Sequence, residues 1–225
     1  MQPHYLPWPG YFNLMAKVDK FVFLDDAQYS KNSWHNRNII LNQEKKSWLT
    51  IPLKKSSIDT TINNKIVDDT KKWQVKHSKT IMQSYSKHSF IKDINEYLFF
   101  FNSLNFKTLS EYNIEIIKYI SKKLNIKTNF ISSSNLSIGE KRTKKVINIL
   151  EKIEATEYFS AAGATEYLDS DNYAKLTSIK LTINNYKNRI YFQKNLKDFI
   201  SNLSIIDIIA NIGWNAAASY VKNNV

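Results

Sequence analysis

The chain has 225 residues, of which 43% are apolar, so it can bury a hydrophobic core as one domain. It contains no cysteine, which excludes a disulfide framework, a thiolate zinc site and a cysteine nucleophile, and which favours a cytoplasmic location. The net charge of +12 favours phosphate-bearing partners such as nucleotides, sugar nucleotides, tRNA or anionic lipid, although many lysines can equally be ordinary solvated surface.

The chain is predicted to open as strand, loop, helix, strand and loop. Residues 1–8 are typical of the end of a strand that runs into a proline-rich loop. Apolar residues then recur at helical spacing from Tyr11 to Val18. The apolar run 21–24 ends abruptly at Asp25, as expected of a strand that is buried on both faces.

A hairpin and a helical region are predicted next. Residues 39–41 and 48–51 are expected to pair, with the polar link 42–46 as the turn and Pro52 at the end of the second strand. A mostly helical segment covers about 70–125. One apolar stripe in it is formed by Trp73, His77, Ile81 and Tyr85, and a capping box at Thr108 and Glu111 starts a later helix.

The last part of the chain alternates strands with helices. Candidate strands are residues 129–131 and 158–160, with an apolar helical face from Lys144 to Ile153 between them. A last helical segment begins at Ser204, and Gly213 can cap it before residues 214–221. Because parallel strands need crossover connections, this order predicts an α/β fold. We expect one domain with a small, mostly parallel sheet, crossover helices, an inserted β-hairpin and a helical region.

The first candidate site is the loop from Gln2 to Tyr11, which lies between an apparent strand and a helix. Such loops hold ligands in open α/β sheets, and a helix N-terminus can bind a phosphate or carboxylate. The prolines and the glycine can equally just shape a turn. The residues expected to bind substrate here are Gln2, Pro3, His4, Tyr5, Trp8, Gly10 and Tyr11.

The second candidate site follows the next strand, at Asp25 and Asp26. Carboxylates at a strand end can accept a proton from an attacking amine, hold a divalent ion or bind a ribose hydroxyl, but aspartate is also a common turn residue. Arg37 can bind phosphate, or it can simply neutralise one of the two aspartates. The neighbouring residues expected to bind substrate are Gln28, Trp34, Asn36, Arg37 and Asn38.

Two further positions are weaker candidates. His77 lies on the helical stripe and can act as a general base, although a histidine there is more often a partly buried, hydrogen-bonded residue. Arg142 lies in a basic run at a predicted helix start, where cations and N–H groups together can bind an anion. The sequence contains no Walker loop, dinucleotide fingerprint, nucleophile elbow or metal-ligand spacing, so no cofactor is predicted, and a divalent cation stays an option.

The spacing of these residues resembles the start of the WbqC-like protein family. The motif runs from Gln2 through Pro7-Trp8-x-Gly10-Tyr11, continues with Asp25-Asp26-x-Gln28-Tyr29 and ends with Trp34-x-Asn36-Arg37-Asn38. Looser similarity continues through Gly163 and Tyr167 to Asp207, so that residues 1–225 are expected to be one WbqC-like domain. The resemblance adds Gly163 and Tyr167 to the expected substrate-binding residues.

Two departures from the family pattern matter for the site. Family members usually continue an apolar strand before the Gln-Pro pair, so the first strand is expected to be truncated at Met1 or the start to be misassigned. The segment Ser160-Ala161-Ala162 stands where a Ser-Gly pair is common.

The resemblance also implies a function. Members of the family are associated with O-antigen and other surface polysaccharides, which implies transfer of an acyl or aminoacyl group to a nucleotide-linked amino sugar. The expected partners are a sugar nucleotide and an acyl or aminoacyl donor, which a carrier or tRNA can bring. Asp25, Asp26 and His77 are the candidate bases.

The alternatives are a nucleotidylyltransferase-like enzyme and a non-catalytic binding module for a glycan intermediate or tRNA. We expect no integral membrane segment, because the apolar runs are short and the N-terminus does not resemble a signal peptide.

Overall fold

The computed structural model describes residues 1–222, which form a mixed α/β fold, as the sequence predicts. The strands are β1 Lys20–Phe23, β2 Arg37–Asn42, β3 Lys45–Thr50, β4 Asn129–Ser132, β5 Glu157–Ala161 and β6 Lys180–Asn184. The helices are α1 Pro9–Ala16, α2 Trp73–Tyr85, α3 Ile91–Ser103, α4 Leu109–Lys123, α5 Arg142–Lys152, α6 Thr165–Ser170, α7 Tyr173–Leu176 and α8 Ile205–Lys222.

Two of the three strand pairs are parallel. β1 pairs with β4 and β5 pairs with β6, whereas β2 and β3 form an antiparallel hairpin. The prediction of an α/β fold with a small, mostly parallel sheet, crossover helices and an inserted hairpin is therefore confirmed, with the strands divided among three two-stranded sheets. β6, α6 and α7 were not predicted, because all three are short and β6 is only half-buried, which leaves a weak apolar pattern.

The predicted strand at the start of the chain is reduced to Met1. The Met1 amino group donates to the Val22 carbonyl oxygen at 2.7 Å, and the Leu24 N–H donates to the Met1 carbonyl oxygen at 2.8 Å. This is the bonding pattern of a parallel neighbour of β1. Residues 2–8 are irregular, since prolines in this segment supply no backbone N–H to a ladder.

The hairpin turn is shorter than predicted. Asn42 pairs with Lys45, so only Gln43 and Glu44 lie between the strands, instead of the five-residue link inferred from polarity. Both turn residues have positive φ, 48° and 64°, as a two-residue turn that matches the twist of its strands requires. Because the residues at the ends of exposed hairpin strands are polar as well, the polarity of a segment does not show which of its residues form the turn.

The predicted helical segment consists of α2, α3 and α4. The stripe on α2 is buried as expected, at Trp73, His77, Ile81 and Tyr85. The capping box that starts α4 is also confirmed, because Thr108 accepts from the Glu111 N–H while the Glu111 carboxylate accepts from the Thr108 N–H at 2.9 Å.

The final helix α8 packs most of its residues into the hydrophobic core. Gly213, with φ 77° and ψ 170°, breaks its helical geometry at the predicted position. A Cβ at Gly213 would lie 2.4 Å from the Phe90 ring, so the close approach also requires glycine. At the start of α8, the buried Asp207 accepts from Tyr85 Oη at 2.9 Å and from Tyr191 Oη at 2.7 Å, which fixes the segment before the helix. Among the helices of residues 1–222, none is long and apolar enough to cross a bilayer.

Candidate active site

A cleft of about 1010 Å³ lies between β1 and β5 and extends to the loops that follow both strands. Lys20 Nζ donates to the Ile153 carbonyl oxygen at 2.6 Å, which places the beginnings of the two strands at the same end. The opposite end of the cleft therefore lies at the carboxyl ends of both strands. Ligands of open α/β folds bind beyond the carboxyl ends of the strands. The predicted substrate-binding residues that line it are Gln2, His4, Trp34, Gly163 and Tyr167.

The first loop is joined to the segment around β2 by backbone and amide hydrogen bonds. The Tyr5 N–H donates to the Trp34 carbonyl oxygen at 2.9 Å. The Asn38 amide donates to the carbonyl oxygens of Tyr5 and Leu6 at 3.1 and 2.7 Å. The two motifs that are far apart in sequence therefore form one wall, in which Asn38 holds the backbone and is itself buried.

A second amide holds the same two segments from α4. Asn113 Nδ2 donates to the Pro3 carbonyl oxygen at 3.0 Å and to the His35 carbonyl oxygen at 2.7 Å. Asn113 is fully buried, so these bonds form without competition from water. The helix thereby fixes how closely Gln2 and His35 approach one another.

His35 is a site residue that the sequence analysis did not single out. Its Nδ1 accepts from the Ser30 N–H at 3.3 Å, so Nε2 carries the proton and donates to Gln2 Oε1 at 3.0 Å. Burial lowers the pKa of His35 to about 4, which keeps the ring neutral at pH 7. The only signal in the sequence is its place within the Trp34–Asn38 motif.

His4 lies beside His35 in the cleft. Its ring centroid is 5.5 Å from that of Tyr11 and 5.8 Å from that of His35. Within residues 1–222 its ring nitrogens have no hydrogen-bond partner, and neither nitrogen is a buried, unsatisfied atom. Burial, with smaller effects from His35 and the N-terminus, lowers the pKa of His4 to about 3. The ring is neutral at pH 7 and able to accept a hydrogen bond or a proton.

Asp25 and Asp26 face the loop that follows β4 and do not line the cleft. Asp25 accepts from the Ser134 N–H at 3.0 Å, from Ser134 Oγ at 2.6 Å and from Ser133 Oγ at 3.2 Å. Asp26 accepts from Ser133 Oγ and forms a salt bridge with Lys145 Nζ at 2.6 Å. These bonds tie the ends of β1 and β4 to α5, and the proposed base role of either carboxylate stays a prediction.

His77 on α2 and Tyr5 of the first loop form a separate buried pair. Tyr5 Oη and His77 Nδ1 are 2.8 Å apart, and the His77 ring packs edge-on against Trp73. Burial lowers the pKa of His77 to about 4. Neither residue lines the cleft, so the structure does not bring His77 together with His4, and its catalytic role also stays a prediction.

Trp8, Gly10 and Tyr11 support the backbone of the first loop through their packing contacts. A Cβ at Gly10 would lie 2.5 Å from the Trp8 ring, so only glycine permits this approach. Trp8 packs edge-on against Tyr186 at 5.1 Å, and Tyr11 Oη donates to the Gln2 carbonyl oxygen at 3.0 Å. These aromatic residues support the backbone that carries Gln2 and His4.

Gln28 and Asn36 hold loops in place. Gln28 Nε2 donates to the Ile58 carbonyl oxygen at 3.0 Å. Asn36 Nδ2 donates to the Ile51 carbonyl oxygen at 2.9 Å, and Asn36 Oδ1 accepts from Tyr29 Oη at 3.0 Å. Both lie outside the lining of the cleft.

Arg37 and Arg142 have different environments. Arg37 donates to Asn32 and stacks over the Trp48 ring, and it does not pair with Asp25 or Asp26. Arg142 forms a bidentate, largely exposed salt bridge with Asp171, at 2.9 and 3.1 Å, outside the cleft lining. Over residues 1–222, no three histidine or carboxylate side chains converge to hold a metal ion, and the divalent cation stays an untested option.

Comparison with known proteins identifies relatives along almost the whole chain. The model of a family described as the WbqC-like protein family matches residues 2–219. An uncharacterized protein of Mycobacterium tuberculosis, Rv1507c, is 30% identical over 218 residues, which cover 96% of this chain and 94% of that protein. Among solved structures, none matches the chain.

Proposed function

The chain belongs to the WbqC-like protein family, and from the chemistry gathered in its cleft we propose that it is a transferase. It joins an acyl or aminoacyl group to the amine of a nucleotide-linked amino sugar, for use in a bacterial surface polysaccharide such as O-antigen. The observation that carries this proposal is His4, a neutral imidazole that lines the cleft with no hydrogen-bond partner in residues 1–222.

The proposed reaction needs a proton acceptor. The sugar amine attacks the carbonyl carbon of the donor, a new C–N bond forms, and the bond between that carbon and the leaving oxygen or sulfur breaks. The nitrogen must lose one proton, which His4 accepts and then returns to the leaving group. The low pKa of His4 makes it a weak base, so it holds the proton only while that proton passes from the amine to the leaving group.

His35 and Gln2 position this base. Because Ser30 and Gln2 occupy the two nitrogens of His35, that ring is fixed as one neutral tautomer next to His4. Burial keeps His35 neutral at pH 7, so its contribution to the low pKa of His4 arises only when His35 is itself protonated. The net charge of +12 also favours the approach of a substrate that carries a diphosphate.

The decisive experiment measures acyl transfer with purified protein. Sugar nucleotides and acyl or aminoacyl donors are first screened by thermal shift, because a bound ligand stabilises the fold. With an active pair, His4→Gln is expected to lower kcat by about 10²-fold, with little change in KM. This is the lower end of the usual contribution of a general base, because the pKa of His4 lies well below the working pH. The matched control is His88→Gln, a half-buried histidine outside the cleft, which should retain full activity.

Asp25→Asn and Asp26→Asn test the competing assignment. If these variants stay folded and lose turnover while His4→Gln remains active, the base is a carboxylate and the role of His4 is wrong. Magnesium-dependent release of pyrophosphate from a nucleoside triphosphate, without transfer to an amine, would replace the proposal with nucleotidyl transfer.

A further inference from the structure

Two exposed tryptophans form an aromatic surface at the mouth of the cleft. Trp34 is 43% exposed and Trp48 is 46% exposed, and their ring centroids are 5.5 Å apart with planes inclined by 32°. Trp34 is part of the cleft lining, whereas Trp48 lies on β3. Each side chain therefore keeps a large part of its apolar surface in water, and a ligand that stacks on this surface would cover it.

Arg37 completes this surface with a fixed positive charge. Its Cζ lies 4.3 Å from the centroid of the Trp48 ring. Trp48 pairs with Ile39 and is therefore on the same face of the hairpin as Arg37, two residues away on β2. Hydrogen bonds to Asn32 hold the guanidinium in place.

The charge of Arg37 is not neutralised by the protein. In the part of the chain that the structure describes, no carboxylate lies within salt-bridge distance of Arg37, and its Nε is buried without a hydrogen-bond partner. A planar cation fixed against an aromatic ring suits the recognition of a phosphate next to a planar group. A nucleotide combines both features.

We propose that Trp34, Trp48 and Arg37 form a nucleotide-binding platform. A nucleobase stacks on the tryptophan surface that Arg37 leaves exposed, while Arg37 binds the adjoining phosphate. The proposal deepens the proposed function and rests on it, since the platform would hold the nucleotide end of the sugar nucleotide. Trp34 belongs to the same cleft wall as His4, so the sugar can extend from the platform toward the base.

The test is calorimetric binding of uridine monophosphate, adenosine monophosphate, ribose 5-phosphate and uridine. Both mononucleotides should bind more tightly than ribose 5-phosphate, which has no base. Trp48→Ala should raise the Kd of the mononucleotides about tenfold, the usual size of a base-stacking contact, and leave that of ribose 5-phosphate unchanged. Arg37→Gln should weaken binding of the phosphorylated probes and leave that of uridine unchanged.

Matched variants separate stacking from general damage. Trp48→Phe retains an aromatic face and should stay within about threefold of the wild-type Kd. Phe99→Ala removes a ring that is 83% exposed on α3, outside the platform and the cleft lining, and should have no effect. An unchanged mononucleotide Kd in Trp48→Ala, or equal affinity for ribose 5-phosphate and the mononucleotides, would overturn the platform.

The outcome for the platform is separable from that for the transferase. Nucleotide binding that depends on Trp48, in a protein with no acyl transfer to any amino sugar, would support the platform and refute the proposed reaction. Acyl transfer with the same KM in wild type and Trp48→Ala would support the proposed reaction and refute the platform.

Discussion

At the scale of single residues, three buried histidines share a lowered pKa but differ in their hydrogen-bond partners. His4, His35 and His77 all have a lowered pKa, and burial is the main cause for each. Hydrogen bonds occupy His35 and His77, whereas His4 has only ring contacts within residues 1–222. The ability to take part in chemistry therefore depends on the partners of the ring more than on the shift in its pKa.

Gly10 offers a prediction at this scale. In Gly10→Ala the new Cβ would lie 2.5 Å from the Trp8 ring, which has to move away from Tyr186. We expect a loss of about 1–3 kcal/mol in the free energy of unfolding, the usual cost of overpacking, as measured by urea denaturation.

A second glycine provides the control for this variant. In Gly163→Ala the added Cβ meets no heavy atom within 4 Å, so stability should change by less than about 0.5 kcal/mol. Equal stability of Gly10→Ala and wild type would show that Trp8 has an alternative position in which the loop still folds.

At the scale of secondary-structure elements, the β2–β3 hairpin combines a correct prediction with an error in detail. The segments 39–41 and 48–51 on either side of a polar link identified both strands, and Pro52 correctly marked the end of the second strand. The turn was wrong because Gln43 and Glu44 are not residues that usually adopt positive φ. Their backbone conformation therefore carries a steric cost that the pairing of the strands outweighs.

The same turn predicts a stabilising double substitution. Gln43→Asn with Glu44→Gly supplies the residues that two-residue turns with positive φ prefer. We expect the free energy of unfolding to rise by about 0.5–1 kcal/mol. A non-glycine residue at positive φ costs roughly 1–2 kcal/mol, which exceeds the roughly 0.5–1 kcal/mol of chain entropy that glycine costs. Thermal denaturation would register this as a higher Tm.

The control places the glycine one residue later. Lys45→Gly lies inside β3, where glycine should destabilise the protein by about 0.5–1 kcal/mol. A lower Tm for the turn variant would contradict the assignment of the two-residue turn.

At the scale of the whole molecule, the buried histidines should make stability depend on pH. Each has a folded-state pKa below the value of 6.5 of an unfolded histidine, so the unfolded chain binds more protons as the pH falls below 6.5. The contribution of these histidines to stability is therefore complete above about pH 6.5 and is lost as the pH falls toward their folded-state pKa values. At pH 5, which lies 1.5 units below the unfolded pKa of 6.5, the loss of unfolding free energy due to His77 is about 2 kcal/mol, at 1.36 kcal/mol per unit.

One buried carboxylate opposes this loss. Burial raises the pKa of Asp207, so its protonation on acidification favours the folded state. Three histidines outweigh one carboxylate, and we expect the Tm to fall between pH 7 and pH 5 by several degrees. His77→Gln should lose less stability over this range than wild type, and a constant Tm would contradict the neutral, buried state of these rings.

The order and type of most elements, and the family, followed from the sequence alone. A continuous apolar run identifies β1, and helical periodicity identifies α2, α4 and α5 because their buried faces must be apolar. The capping box fixes the start of α4 because it joins residues three apart. The motif from Gln2 to Asn38 identified the family because its spacing is a local property of the chain.

Only the tertiary structure decided which motif residues meet in the cleft. Asp25 and Asp26 follow β1 in the chain, but their partners Ser133, Ser134 and Lys145 are more than a hundred residues away, and these contacts place the carboxylates outside the cleft. His4 and His35 become neighbours through bonds such as those of Asn113 on α4. Periodicity reports which side of an element is buried, whereas the distance between side chains on different elements depends on how those elements pack.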